Sequence, residues 1–97
     1  MYQISETIND LSYTKLQVKK LFHNGQAEVL CISLEEGNEF PEHTSPRDAL
    51  LVMLDGAVSF HINDTEFVLQ KNQTFDFPAN EPHWVKARAD AKFLIVR

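Results

Sequence analysis

The chain has 97 residues and a mass of 11.2 kDa, the size of one domain with a single hydrophobic core. With 43% hydrophobic and 24% charged residues, its composition is that of a globular protein and excludes a disordered or membrane-spanning chain. Nine basic against 14 acidic residues give a net charge of −5, and such an acidic surface disfavours nucleic acid as a partner because it repels phosphate.

The single cysteine, Cys31, excludes an intramolecular disulfide and a thiolate metal cluster. A lone thiol is typical of a reduced compartment, and we expect a cytoplasmic protein. The first residues lack the basic and apolar regions of a signal peptide. The longest apolar run, residues 49–54, is too short to cross a bilayer, so no membrane contact is expected.

Turn residues divide the chain after its first 14 residues into short segments rich in Val, Leu, Ile and Phe, which is typical of strands. Residues 1–14 form a polar N-terminal segment that predicts at most one short helical turn. The predicted strands are 15–22, 26–34, 40–44, 49–54, 57–62, 65–69, 75–77, 83–87 and 92–96. Eight or nine short strands predict a single all-β domain over residues 1–97, with a sandwich or barrel in residues 15–97.

Residues 49–54 are apolar at every position, which predicts a strand covered on both faces. The next strand alternates, with Val58, Phe60 and Ile62 on one face and His61 on the other. The sequence leaves open which of these faces is internal.

Two segments of the chain place a histidine beside turn residues. In the first, Gly37 is followed after five residues by His43 and then by a strand that ends at Gly56. The second is Pro78-Ala79-Asn80-Glu81-Pro82-His83. These two segments resemble the two sequence motifs of the cupin family. The resemblance covers roughly residues 26–96 and implies the family's double-stranded β-helix, a small jelly-roll barrel.

The resemblance also implies a metal site, of which this chain keeps half. Metal-binding cupins usually offer three histidines and a glutamate, and His43 and His83 match the first and the last of these ligands. Ser45 stands where the second histidine belongs, and Ala49 stands at the glutamate position.

A divalent transition metal (Fe, Mn, Ni or Zn) needs about three protein ligands, so a third must come from elsewhere. Asp48 and His61 are the two candidates. Asp48 is one residue from the glutamate position, and strand alternation points it to the other face unless a bulge intervenes.

The second motif departs from the family pattern at three positions, where Asn72, Asn80 and Ala87 replace two glycines and an asparagine. Asparagine tolerates positive φ, so Asn72 and Asn80 are expected to keep the turn geometry.

The favoured hypothesis is a barrel protein that binds a small molecule, with no catalytic residue assigned. Its predicted pocket residues are His43, Ser45, Met53, His61, His83 and Trp84. One alternative is a metal-dependent dioxygenase or isomerase that uses His43 and His83. Another is a dimeric regulatory or structural module with a vestigial pocket. The family resemblance implies a homodimer, and the N-terminal segment is a candidate to cover an edge strand or to swap onto a partner.

Overall fold

The computed structural model describes residues 2–97, which form one short helix and nine β-strands. The helix is α1 (Thr7–Asp10), within the polar N-terminal segment. The strands are β1 (Leu16–His23), β2 (Glu28–Leu34), β3 (Glu39–His43), β4 (Ala49–Asp55), β5 (Ala57–Ile62), β6 (Thr65–Gln70), β7 (Thr74–Phe77), β8 (His83–Ala87) and β9 (Ala91–Val96). Each predicted strand is present, with its ends displaced by no more than two residues.

The strands form two antiparallel sheets that pack face to face. One sheet has five strands in the order β1-β2-β9-β4-β7, and the other has four in the order β3-β8-β5-β6. Consecutive strands repeatedly lie in opposite sheets, which is the jelly-roll arrangement. The all-β, cupin-like fold class predicted from the sequence is confirmed.

The inner faces of both sheets supply the core through strict alternation of side chains. In β2, Ile32 and Leu34 point inward and are fully buried. From β5, Val58 and Phe60 meet them from the opposite sheet, and Phe93 of β9 fills the space between. The predicted division of β5 therefore holds, with Val58, Phe60 and Ile62 on the internal face.

Tight turns with left-handed residues connect the strands. Asn72 has φ 71° and Asn80 has φ 64°, as expected for asparagines that replace glycines. The backbone N–H of Asn80 donates to the carbonyl oxygen of Ser45 at 2.8 Å, which joins the second motif to the loop after β3.

The N-terminal segment crosses the outer face of the five-stranded sheet instead of an edge strand. Ser33 donates to the carbonyl oxygen of Ser12 at 2.7 Å, and the Lys92 ammonium donates to the carbonyl oxygen of Ile8 at 2.6 Å. Lys92 also lies over the Tyr13 ring, 4.8 Å from its centroid. The Tyr13 hydroxyl donates to Asp55, and this bond raises the pKa of Tyr13 to about 12.

The prediction that β4 is covered on both faces is wrong for part of the strand. Ala49, Leu51 and Met53 are buried in the core, whereas Leu50, on the outer face, is 38% exposed. The N-terminal segment covers only one half of that outer face, so apolar character in β4 does not mean burial.

Cys31 is fully buried on the outer side of β2, and burial raises the pKa of its thiol. It is therefore a buried thiol in the protonated state. Within residues 2–97 no helix combines the length and the apolar character needed to cross a membrane.

Candidate functional site

A cavity of about 310 Å³ lies between the two sheets. Its wall is mostly apolar and includes four phenylalanines, Phe40, Phe60, Phe77 and Phe93. The polar side chains that line it are His43, Thr44, Ser45, His83 and Arg97. An apolar cavity with a few convergent polar groups is the usual form of a small-molecule site.

His43 and His83 come together because β3 and β8 pair in antiparallel register. The two residues are directly opposite in the ladder, and a register shift between Phe40 and His43 brings the end of β3 into this alignment. Their ring centroids are 4.3 Å apart, with one ring meeting the other edge-on. This pair is the part of the predicted site that the structure assembles.

Both imidazoles are held in the same way by the backbone. Nδ1 of His43 lies 2.7 Å from the carbonyl oxygen of Pro41, and Nδ1 of His83 lies 2.9 Å from that of Glu81. A carbonyl oxygen only accepts, so each Nδ1 carries the proton and donates. In the neutral ring Nε2 then holds a lone pair.

Neither Nε2 has a hydrogen-bond partner within residues 2–97, and neither is an inaccessible buried atom. The cavity therefore offers two neighbouring, accessible acceptors on imidazoles of fixed tautomer.

His83 is the more deeply placed of the two, with 3% of its surface exposed. Its ring stacks on Phe60 at a centroid distance of 5.2 Å and packs against Phe77 at 4.6 Å. Burial lowers the pKa of His83, and the neighbouring His43 lowers it further. The neutral form, with Nε2 free to accept, is thus favoured at neutral pH.

This burial predicts a pH dependence of stability. The pKa of folded His83 lies below the 6.5 of the unfolded chain, so the unfolded chain takes up a proton first as the pH falls. Above pH 6.5, neutral His83 makes its full contribution to the free energy of unfolding. Below pH 6.5 this contribution declines, by at most about 1.4 kcal/mol per pH unit, until the imidazole of the folded protein is itself protonated.

Urea unfolding between pH 5 and pH 8 measures this contribution, and His83→Phe is the reference because it cannot titrate. Glu28 and Asp55, whose pKa values are lowered by Arg97 and Tyr13, act at lower pH and leave this window clear. An identical decline in the wild type and in His83→Phe would contradict the assignment.

Ser45, at the position of the missing second histidine, also lines the cavity and is 2% exposed. Its hydroxyl donates to the carbonyl oxygen of Arg47 at 2.6 Å and accepts from Arg97 at 3.4 Å. Ser45 therefore holds the loop after β3 and connects it to Arg97, the residue that follows β9.

The structure places His61 and Trp84 outside the predicted pocket. They pair with each other across β5 and β8, next to the pair that Ile62 forms with His83, so alternation turns both to the outer face of the four-stranded sheet. There the two rings stack at 3.7 Å, and His61 Nε2 lies 3.7 Å from Glu66.

Met53 and Asp48 also lie away from the histidine pair. Met53 is a core residue, 1% exposed, and does not line the cavity. Asp48 accepts a hydrogen bond from the backbone N–H of Ala79 at 2.9 Å, so its carboxylate fastens the loop before β4 to the turn of the second motif.

Neither candidate third ligand therefore joins His43 and His83. Within residues 2–97 no three histidine, cysteine, aspartate or glutamate side chains form a group that could hold a metal ion. Two imidazoles alone do not fit the three-ligand set that a resident transition metal requires.

The predicted pocket omitted most of the cavity wall, including Arg97 and Phe40. Arg97 continues the inward alternation of Phe93 and Ile95, and its guanidinium pairs with Glu28 at 3.0 Å. Phe40 stacks on His43 with a centroid distance of 4.1 Å. Extending the alternation of inward-facing side chains in β9 by one more step would have predicted that Arg97 lines the cavity.

The order of the nine strands is that of a cupin-type barrel. The cavity carries one histidine from β3 and one from β8, as in that class of barrel. Residues 23–97 match the cupin domain family, and the chain belongs to that family. The resemblance found in the two sequence motifs is thereby confirmed.

Solved structures agree with this assignment. An RmlC-like cupin protein from Desulfovibrio desulfuricans superposes with a TM-score of 0.86 over 99% of this chain and 95% of that chain, at 17% identity. A conserved protein of unknown function from Streptococcus pyogenes gives 0.82 over 98% and 84%, at 24% identity. KdgF from Halomonas gives 0.77 over 84% and 76%, at 19% identity. Sequence identities this low show a shared fold and nothing about function. A search of curated proteins found no match to the chain.

Proposed function

We propose that the chain binds a small, largely apolar molecule in the barrel cavity, through a hydrogen-bond donor on that molecule. The observation that carries the proposal is the histidine pair. His43 and His83 each donate from Nδ1 to a backbone carbonyl, which leaves two adjacent Nε2 acceptors without a hydrogen-bond partner among residues 2–97.

The size of the cavity favours a molecule with about one ring. Its 310 Å³ lies at the lower end of the range of small-molecule pockets. The aromatic side chains Phe40, Phe60 and Phe77 supply flat apolar walls, against which a planar ring packs well.

The charges in the cavity favour a neutral ligand. Arg97 contributes a permanent positive charge to the cavity wall. Its Nε and Nη2 both donate hydrogen bonds to Glu28, which neutralises that charge. His83 is favoured in its neutral form by burial. An anionic ligand would have to compete with Glu28 for the guanidinium.

The two alternatives receive less support. A metal-dependent enzyme that uses His43 and His83 needs a third ligand, and Asp48 and His61 lie elsewhere. A vestigial pocket does not account for two accessible acceptors on oriented imidazoles.

A reduced compartment, the cytoplasm, remains the proposed location because Cys31 is a free, buried thiol.

Phenol and anisole form a matched pair of probes. Both present an aromatic ring, but only phenol carries a donor for the Nε2 atoms. We expect phenol to bind at least about tenfold more tightly than anisole, because one net hydrogen bond to a buried partner is worth about 1.4 kcal/mol. Titrations followed in amide NMR spectra measure both dissociation constants.

The double substitution His43→Phe/His83→Phe keeps a ring at each position and removes both Nε2 acceptors, so it should abolish the preference for phenol. His23→Ala is the matched control, because His23 is an exposed residue at the end of β1. Equal affinities for phenol and anisole in the wild type would refute the proposal, as would a preference that survives in the double variant.

A further inference from the structure

The two sheets, as described over residues 2–97, end in four edge strands, and three of these edges are protected against pairing with another strand. β1 has a register shift and carries Lys19 and Lys20. β3 has a register shift and contains Pro41. β7 has only four residues and is followed by Pro78. Bulges, lysines, prolines and short length are the usual means of blocking a sheet edge.

The fourth edge strand, β6, has none of these features. Its six residues pair with β5 in unbroken register and include neither a proline nor a lysine. The first four of them, residues 65–68, are all exposed. A regular, exposed edge strand of this kind is a template on which another strand can pair.

The hairpin geometry shows which backbone groups of β6 are available. β5 and β6 are joined by a two-residue turn, residues 63–64, so the closing pair Ile62 and Thr65 exchanges backbone hydrogen bonds. Every second residue of β6 therefore directs its N–H and C=O toward β5, and the intervening Glu66 and Val68 direct theirs away. No strand of residues 2–97 lies on that side of β6. We call this side the free edge of β6.

A groove of about 300 Å³ lies beside the free edge. Its wall includes Phe67 of β6, which is 39% exposed, and Phe75 of β7, and the centroids of these two rings are 4.9 Å apart. A strand added to β6 would place every second side chain on the same face as Phe67, over this groove. Apolar side chains at those positions would be removed from water.

The charges around the free edge are acidic. Glu66 is exposed on the outer face of β6, and Asp76 and Glu81 line the groove. None of the residues within 2–97 that line the groove is a lysine or an arginine. Basic side chains at the alternate positions of an added strand would lie beside Glu66, and opposite charges on neighbouring strands attract. A second copy of β6 would instead bring its own Glu66 to this acidic edge.

We propose that the free edge of β6 binds an extended segment of a partner protein in which apolar and basic side chains alternate. The backbone of the segment pairs with Glu66 and Val68 and extends the four-stranded sheet by one strand. Its apolar side chains enter the groove beside Phe67, and its basic side chains lie on the outer face beside Glu66. This interaction does not depend on a ligand in the barrel cavity.

Amide hydrogen exchange of the intact chain, measured by NMR with the peptide acetyl-Lys-Val-Lys-Val-Lys-amide, tests the proposal. With free peptide at about ten times its dissociation constant, exchange at Glu66 and Val68 should slow about tenfold, because only the free protein leaves these amides unpaired. The amides of Thr74 and Asp76, on the edge strand β7, should exchange at unchanged rates.

The charge preference is tested with a second peptide, acetyl-Glu-Val-Glu-Val-Glu-amide. It should bind at least about tenfold more weakly than the lysine peptide. Glu66→Lys should reduce this preference about tenfold, because it exchanges attraction for repulsion on the outer face. Glu39→Lys is the matched control, since Glu39 is an exposed acid on β3, the opposite edge strand of the same sheet, and it should leave the preference unchanged.

Three results would overturn the proposal. The first is unchanged exchange at Glu66 and Val68 in millimolar lysine peptide. The second is equal affinity for the two peptides, or a preference that Glu66→Lys leaves intact or that Glu39→Lys abolishes. The third is protection of the two amides without peptide that increases with the concentration of the chain, which would assign the free edge to a second copy.

Discussion

Replacing Gly56 by alanine is expected to lower the free energy of unfolding by at least about 3 kcal/mol. Gly56 has φ +72°, a conformation that costs an alanine about 1–2 kcal/mol. The larger part of the loss comes from the turn between β8 and β9. An alanine Cβ would overlap the carbonyl oxygen of Asp90 and lie 2.9 Å from Cα of Ala91. Both are backbone atoms, so neither can move aside without disturbing the start of β9.

Gly25→Ala is the matched control for this substitution. Gly25 has φ +85°, but a Cβ there would meet no atom of residues 2–97 within 4 Å. We therefore expect only the conformational cost of about 1–2 kcal/mol. Urea unfolding at neutral pH measures both variants, and equal losses would show that the close approach at Gly56 does not matter for stability.

Phe60→Ala is expected to cost about 3–5 kcal/mol. Phe60 is 1% exposed and joins the two sheets at the cavity. Its ring packs against Phe75 at 4.9 Å, Phe77 at 5.0 Å and His83 at 5.2 Å. Truncation removes these contacts and leaves a void that neighbouring strands are too constrained to fill.

Phe67→Ala serves as the control on the neighbouring strand β6, directly opposite Phe60 in the ladder. Phe67 is 39% exposed, so its loss should cost much less, about 1 kcal/mol. A similar loss in the two variants, measured by urea unfolding, would contradict the placement of Phe60 at the centre of the core.

The strands could be predicted from the sequence because turn residues and alternation are local signals. Asn72 and Asn80 were expected in left-handed turns, and both have positive φ. Burial of the outer face of β4 was predicted wrongly because an apolar run shows only that its side chains are hydrophobic. It does not show whether another part of the chain packs on the second face of the strand.

The candidate site could be predicted only in part. His43 and His83 were found through motif spacing, and cross-strand register then brings them together. His61 and Trp84 were placed in the pocket because alternation separates two faces without saying which is internal. That choice depends on packing between the sheets, which a strand's own sequence does not contain.

Arg97 and Phe40 were missed for a different reason. Arg97 lies outside both family motifs and Phe40 is at an unspecified position within the first, and both enter the cavity through the geometry of their strands. Glu28, which pairs with Arg97, is 69 positions away in sequence. Such long-range contacts follow from the order β1-β2-β9 and could not be derived before the topology was known.

Long-range proton–nitrogen NMR spectra of the imidazoles, recorded with and without phenol, test the central claim most directly. We expect His43 and His83 to carry their proton on Nδ1, and their Nε2 resonances to shift when phenol is added. The resonances of His23 and His61 should stay in place. Protonated Nε2 atoms in the pair, or a phenol response confined to His23 or His61, would contradict the account of the site.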